Sequence, residues 1–176
     1  MRILSAGFDG LFILDVEPVY DERGMFARVF DEDVLRSKDL VCHFPQQSVA
    51  FNTRAGTVRG LHYQEGIAAE AKIVRVTRGA IFDVAVDIRR ESLTFGKWFG
   101  MRLDGTSHRA LYIPEGFAHG YQTLEDVTEV LYLISNRYDA AATRGVHYAD
   151  RRIGINWPLP VTSLSGRDAA LPALGD

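Results

Sequence analysis

Three things are scarce in this chain: cysteine, an excess of one charge, and long apolar runs. The only cysteine is Cys42, which excludes an intrachain disulfide and suits a reducing compartment. The opening MRILSAGFDG lacks the basic segment and apolar core of a secretory signal. No stretch approaches the ~20 apolar residues of a membrane-spanning helix. The expectation is a cytoplasmic protein with no membrane partner. Lys and Arg number 20 against 23 Asp and Glu, a net charge of -3. That balance gives no electrostatic basis for bulk nucleic-acid binding. It leaves room for a small nucleotide held by a few arginines. Linker-like stretches, low-complexity tracts and internal repeats are also missing, so one domain is expected over residues 1–176.

What is present is apolar material in short pieces. Apolar residues make up 47% of the chain, enough for a hydrophobic core at this length. Segments 11–16, 72–77, 80–88, 97–103, 109–113, 118–123 and 129–135 are β-prone, and Gly and Pro break the spaces between them. Residues 80–88 carry the strongest strand signal. A short strand is expected over 25–30, after the turn Asp21-Glu22-Arg23-Gly24. Residues 42–51 read as extended and 136–143 as a loop. Helical periodicity is sparse. The best helix candidate covers 31–40, with Asp31 as cap and acidic residues in the first turn. Many short strands with few helical periods indicate an all-β fold, a double-sheet jelly roll or related barrel.

The stretch Val58-Arg59-Gly60-Leu61-His62-Tyr63-Gln64 concentrates the chemistry. It sets an imidazole beside a guanidinium, an aromatic ring and an amide. Histidine titrates nearest neutrality, so His62 is the first residue to consider for acid–base work. Lys72, Asp83, His119, Tyr132 and Asp168 are available to complete a site. Asp83 interrupts the apolar run Ile81-Phe82-Asp83-Val84-Ala85-Val86. A carboxylate buried without a partner is costly, so Asp83 either faces a lumen or pairs with a charge.

Longer motifs give a family resemblance. They are DERGMF at 21–26, TVRGLHYQ at 57–64, AKIVRVTRGAIFDVAVDIR at 71–89, TFGKW at 94–98, LYIPEGFAHGYQTL at 111–124, EVLYLISNRY at 129–138, ADRRIGINWP at 149–158 and LSGRDA at 164–169. Over nearly its whole length the sequence resembles the dTDP-4-dehydrorhamnose 3,5-epimerases, the RmlC-like cupins. The resemblance implies a cupin jelly roll with a few short helices, a homodimer, and a site inside each barrel. It implies a dTDP-linked 4-keto-6-deoxyhexose as substrate. The reaction implied is inversion at C3 and C5 by proton removal and return, with no metal and no organic cofactor.

Residue roles follow from the same motifs. His62 matches the catalytic base, and Asp168 its carboxylate partner. Tyr132 matches the acid for the opposite face, and Lys72 the group near the developing oxyanion. Asp83 and His119 are expected to interact and shape the sugar pocket. Arg59 and Arg23 are candidates for the diphosphate, since a guanidinium fork fits phosphate oxygens. In a dimer Arg23 would serve the neighbouring site. Gln47 and Asn52 are candidates for the nucleotide or pocket wall, and Tyr138 for the base. Taken singly, each has a plainer reading: an exposed C-terminal charge for Asp168, a core aromatic for Tyr132, a strand-edge charge for Lys72, a buried polar pair for Asp83 and His119.

No metal is expected. Cupin metal sites commonly use a His-x-His pair, whereas His62 is followed by Tyr63 and Gln64. Two departures from the family pattern bear on specificity: Arg28 stands where many members have glutamate, and Leu133 where many have lysine. Arg28 would change the charge near the nucleotide or sugar. The rival readings are a C3-only or C5-only epimerase of another nucleotide-linked 4-ketosugar, a non-catalytic sugar-binding cupin, and an isomerase that moves a ketone between C3 and C4.

Overall fold

The computed structural model describes residues 1–175 and consists mostly of strands. In chain order these begin with β1 (Arg2–Ser5), β2 (Phe12–Asp15) and the hairpin β3 (Val19–Asp21) and β4 (Gly24–Phe26). Helix α1 (Glu32–Arg36) precedes β5 (Gln46–Asn52), β6 (Val58–Gln64), β7 (Lys72–Arg78) and β8 (Ala80–Asp87). Then come β9 (Trp98–Asp104), β10 (Ala110–Ile113), β11 (Phe117–Thr123), β12 (Thr128–Ile134), β13 (Thr143–Gly145) and helix α2 (Gly166–Ala169). Two sheets form the body, with strand orders β1-β2-β10-β7-β12-β5 and β13-β6-β11-β8-β9. Every strand pairing is antiparallel.

Side-chain alternation explains the layering. On β8, Ile81 and Ala85 enter the inter-sheet core with Leu11, Val74, Leu111 and Val130. Phe82, Val84 and Val86 face the other way and pack with Leu61, Ala118, Val146 and Ile153. A period of two therefore points Asp83 into the space between the sheets. Each fully buried Leu, Ile or Val contributes about 1.5–3 kcal/mol. Both outer faces carry cover. The segment around α1 packs Phe30, Leu35 and Phe44 on Ile73 and Tyr112 of the larger sheet, and an Arg75 amino group donates to Val29 O at 2.7 Å.

The departures from the sequence expectations have local causes. The helix is shorter than 31–40. Asp31 does cap it, accepting from the Asp33 and Val34 N–H groups. Asp39 then adopts φ 56° and turns the chain back, with Leu40 N donating to Leu35 O at 3.1 Å. The strand over 25–30 stops at Phe26, because β3 offers only three partners. Thr143–Gly145, which begins at the last residue of the expected loop, pairs with β6, and Arg2–Ser5 forms an additional edge strand. Short edge strands carry too few residues to show alternation.

One glycine controls how β6 meets β11. Gly60 has φ +110°, and a Cβ there would lie 2.6 Å from both His119 O and Gly120 Cα. Only glycine lets the two backbones approach this closely. The Cα partners across this pairing include His62 with His119 and Arg59 with Tyr121.

Candidate active site

A cavity of about 240 Å³ opens between the sheets, lined by His62, Lys72, His119 and Tyr132 among others. Strands β5, β6, β7, β11, β12 and β13, helix α2 and the loops that carry Glu70 and Tyr138 supply its polar groups.

His62 projects from β6, and its Nε2 lies 2.7 Å from Asp168 Oδ1. The second carboxylate oxygen of Asp168 accepts from Gly60 N at 3.1 Å. Asp168 is buried although it comes from the C-terminal segment. That segment is docked by Val58 N donating to Ser163 O at 2.9 Å. The Asp168 N–H donates in turn to Ser165 Oγ at 3.0 Å. A carboxylate held on both oxygens fixes the ring orientation of His62. Burial lowers the His62 pKa below its ordinary 6.5, outweighing the upward pull of Asp168; Lys72 and Arg167 lower it further. The imidazole is therefore neutral at neutral pH. One ring nitrogen faces Asp168, and the other is free to take a proton.

Tyr132 lies on β12, between Ser48 of β5 and Val74 of β7 in register. Its ring meets His119 edge-on, with centroids 5.9 Å apart. Burial raises its pKa well above the ordinary phenol value, and the nearby Tyr121 and Asp83 add to the rise. The phenol holds its proton until a strong base reaches it.

Lys72 is not an edge charge, because β7 lies inside its sheet between β10 and β12. Its Nζ sits 3.0 Å from Glu70 Oε1 and 3.4 Å from His62 O. Gln64 Nε2 donates to the other Glu70 oxygen at 2.8 Å. The ammonium is thus fixed in direction by a carboxylate, a carbonyl and an amide scaffold. Asp83 and His119 meet as expected, with Nε2 to Oδ1 at 2.7 Å. Asp83 Oδ2 is buried with no hydrogen-bond partner among the described residues. The pair satisfies both alternatives raised for Asp83, facing the lumen and pairing with a side chain.

The remaining candidates divide. Arg59 lines the cavity and an adjoining one, with its Nε donating to Asn52 Oδ1 at 2.7 Å. Asn52 is buried behind it and acts on that arginine rather than at the surface. Tyr138 stands exposed at the rim. Gln47 is not in the cavity: it pairs in register with Leu133, while its neighbour Ser48 pairs with Tyr132 and lines the cavity. Arg23 sits on the exposed β3–β4 hairpin, paired with Asp21 at 2.5 Å. Arg28 is exposed and bonded to Asp31 at 2.9 Å, and Leu133 packs in the outer cluster. Neither departure lines the cavity, so the expected charge change near the sugar is not found within this chain.

Sequence reasoning missed Glu70, Arg167 and Tyr121. Glu70 lay in a stretch read as loop, and nothing in its neighbours announces its ion pair. Arg167 was visible as the residue beside Asp168; it lines both cavities. Tyr121 is two residues from His119, and that spacing on a strand was the available signal. No cluster of three or more His, Cys, Asp or Glu among the described residues is placed to hold a metal ion. No helix among them is long and apolar enough to cross a membrane.

Two antiparallel sheets closing around a polar cavity, with His62 and His119 inside, make this a cupin. The family model for dTDP-4-dehydrorhamnose 3,5-epimerase matches residues 5–176. The enzyme of that name from Methanothermobacter thermautotrophicus is 41% identical over 158 residues, covering 90% of this chain and 84% of its own. The Bacillus anthracis dTDP-4-dehydrorhamnose 3,5-epimerase, solved with TDP and PPi bound, superposes with a TM-score of 0.95 at 37% identity, covering 98% of this chain and 99% of that one. The Legionella pneumophila dTDP-6-deoxy-D-glucose-3,5-epimerase, in complex with dTDP-4-keto-L-rhamnose, gives 0.92 at 35% identity, covering 98% and 92%. The chain belongs to the dTDP-4-dehydrorhamnose 3,5-epimerase family.

Proposed function

We propose that this protein converts dTDP-4-dehydro-6-deoxy-D-glucose to dTDP-4-dehydro-L-rhamnose by inverting C3 and C5. The observation that carries the reading is the lumen itself: a carboxylate-held neutral imidazole, a protonated phenol and a directed ammonium share one cavity. A proton beside a ketone becomes removable when the enolate oxygen is stabilised. His62 takes the proton from carbon, and Asp168 stabilises the imidazolium that forms. Lys72 supports the charge growing on the C4 oxygen. Tyr132 returns a proton to the opposite face. Arg59 at the open side, with Arg167 near it, suits a diphosphate. No step in this sequence calls on a metal or an organic cofactor. The ligands of the Bacillus and Legionella relatives agree with a dTDP-linked substrate.

The reading extends to assembly and location. Val49 and Phe51 stand 59% and 50% exposed on β5, an edge strand, and Val19, Tyr20 and Phe26 are still more exposed on the β3–β4 hairpin. Apolar surface of this kind supports a homodimer. Within it, Arg23 and Gln47 would act at the neighbouring site. The protein works as one jelly-roll domain in the cytoplasm, without nucleic-acid or membrane partners.

The test is conversion in D2O followed by product NMR. Deuterium at both C3 and C5, in an L-configured product, is expected. Label at one carbon alone would replace the proposal with a single-centre epimerase. A 3-keto product would indicate ketone migration, and no exchange on any dTDP-, CDP- or GDP-linked ketosugar would indicate a binding protein. Tyr132→Phe should lower inversion about 10²–10⁴-fold, the usual range for a lost general acid, while washout of the abstracted proton falls less. Equal inversion in that variant would assign the acid to another group or water.

The pH dependence has a definite sign. His62 lies below 6.5 in the folded protein, and the base is lost as falling pH protonates it. The acid limb of kcat/KM is therefore expected below pH 6.5. A limb centred above 6.5 in a full profile would show that Asp168 outweighs burial.

A further inference from the structure

Gln64 closes the stretch that carries His62, and the steps above leave it without a part. It stands at the end of β6, lines the cavity and is buried. Its partners fix the orientation of the amide. Asp139 N, which can only donate, lies 2.6 Å from Oε1. Nε2 therefore faces three acceptors: Glu70 Oε2 at 2.8 Å, Ala68 O at 3.0 Å and Arg137 O at 3.1 Å. An amide nitrogen carries two hydrogens, so these acceptors compete. The side chain also brackets Tyr138, holding the carbonyl of the residue before it and the N–H of the residue after it. Gln46 Oε1 accepts from Tyr138 N itself at 2.9 Å. The other end of the network is Lys72, whose Nζ lies 3.0 Å from the Glu70 oxygen that Gln64 leaves free. Both side chains of that ion pair are only 10% exposed, so water competes little for it. Asn136 Nδ2 joins the same two loops, donating to Ile67 O at 2.9 Å and Ala69 O at 3.2 Å.

We propose that Gln64 is a positioning residue that couples recognition of the nucleotide at Tyr138 to the aim of Lys72 on the C4 oxygen, with Glu70 as the link. The inference rests on the epimerase reading, with Tyr138 as the contact for the base. Competition for two hydrogens is the coupling. A base seated against Tyr138 fixes the 137–139 backbone, and with it the share of Nε2 that reaches Arg137 O. The remainder goes to Ala68 O and to the Glu70 carboxylate, whose bond is charge-assisted and the strongest of the three. Glu70 and Lys72 respond as a pair, because parting them would leave a buried charge without its partner. The remote half of the substrate then contributes to kcat and not only to binding. No proton changes owner in this coupling, so the chemical steps stand as given.

The probe is the same ketosugar carried on methyl diphosphate, without the nucleoside, compared at saturation with the dTDP-linked sugar. Wild type is expected to turn over the dTDP-linked sugar ~10-fold faster, about the worth of one hydrogen bond. Glu70→Gln leaves Nζ an oxygen acceptor but sets a second amide NH2 against that of Gln64, which cuts the link. The ratio of the two kcat values should then collapse toward one, whatever the loss on either sugar alone. Washout and inversion should fall together in this variant, because enolate formation precedes both. A merely structural role would lower Tm and both kcat values alike and keep the ratio. Tyr138→Ala is the second arm, since an exposed side chain can be removed without harm to the fold. It should lower kcat on the dTDP-linked sugar, and the double variant with Glu70→Gln should lose no more than the larger single loss. A wild-type ratio near one, a ratio kept in Glu70→Gln, or a Tyr138→Ala variant changed in KM alone would overturn the proposal. If wild type inverts both centres but the ratio is flat, this inference alone fails. If wild type exchanges no proton, the epimerase reading fails with it.

Discussion

His62→Ala is expected to abolish exchange at both C3 and C5, with kcat/KM down about 10³-fold or more, toward the upper range for a positioned general base. Both losses should appear together, because the cavity presents one neutral imidazole held by a carboxylate. His119, the other histidine at the site, is committed to buried Asp83. The variant should remain folded. Asp168 keeps the Gly60 amide on its second oxygen, and the His62 side chain is already 35% exposed. His62→Asn is the companion variant, since its amide can still donate to Asp168. Solvent deuterium uptake by NMR, with a thermal melt on the same sample, separates chemistry from folding. Exchange surviving at one carbon would require a second base.

Gly60→Ala is expected to damage the protein more than any surface substitution. The new methyl would sit 2.6 Å from His119 O and Gly120 Cα, and these are backbone atoms with no rotamer to escape through. The residue would also have to hold φ +110°, a conformation costly for any Cβ-bearing residue. Relief means parting β6 from β11 where His62 and His119 are paired. A loss of at least ~3 kcal/mol is expected from overpacking together with strain. At 2–4 °C per kcal/mol for a chain of this size, the melting temperature should fall about 6–12 °C. Activity should fall further than stability, since both histidines ride on the displaced strands. Gly166→Ala is the control: a Cβ there meets nothing within 4 Å. Urea denaturation of the two variants beside wild type decides it, and equal midpoints would show that β6 can move away freely.

The legible part of this fold was the part with long, regular alternation. β7, β8, β11 and β12 each run seven or eight residues, and their apolar periods show in the sequence. β5 is as long but reads Gln-Gln-Ser-Val-Ala-Phe-Asn, and three polar residues in a row hide which face looks inward. Gln47 was a candidate for the nucleotide or pocket wall, whereas its neighbour Ser48 lines the cavity; a one-residue difference exchanges the two faces. The proposed catalytic partners were legible through motifs and not through spacing. His62 and Asp168 are 106 residues apart, and no local pattern joins them. Asp83 was the exception. A carboxylate amid Ile, Phe and Val declares a partner on physical grounds, and His119 provides it. Glu70 could not be read in advance, because its function lies in a contact with Lys72 inside a segment of small residues.

The docking of α2 divides the site between two separately anchored parts of the chain. Every strand of the two sheets ends by residue 145, yet the carboxylate that holds His62 is residue 168. It reaches the ring only because the C-terminal segment docks back on β6, through Val58 N to Ser163 O and Gly60 N to Asp168 Oδ2. The imidazole and its holder thus belong to parts of the chain with separate anchors, and loosening that dock would free the ring while the strands around the cavity kept their pairings.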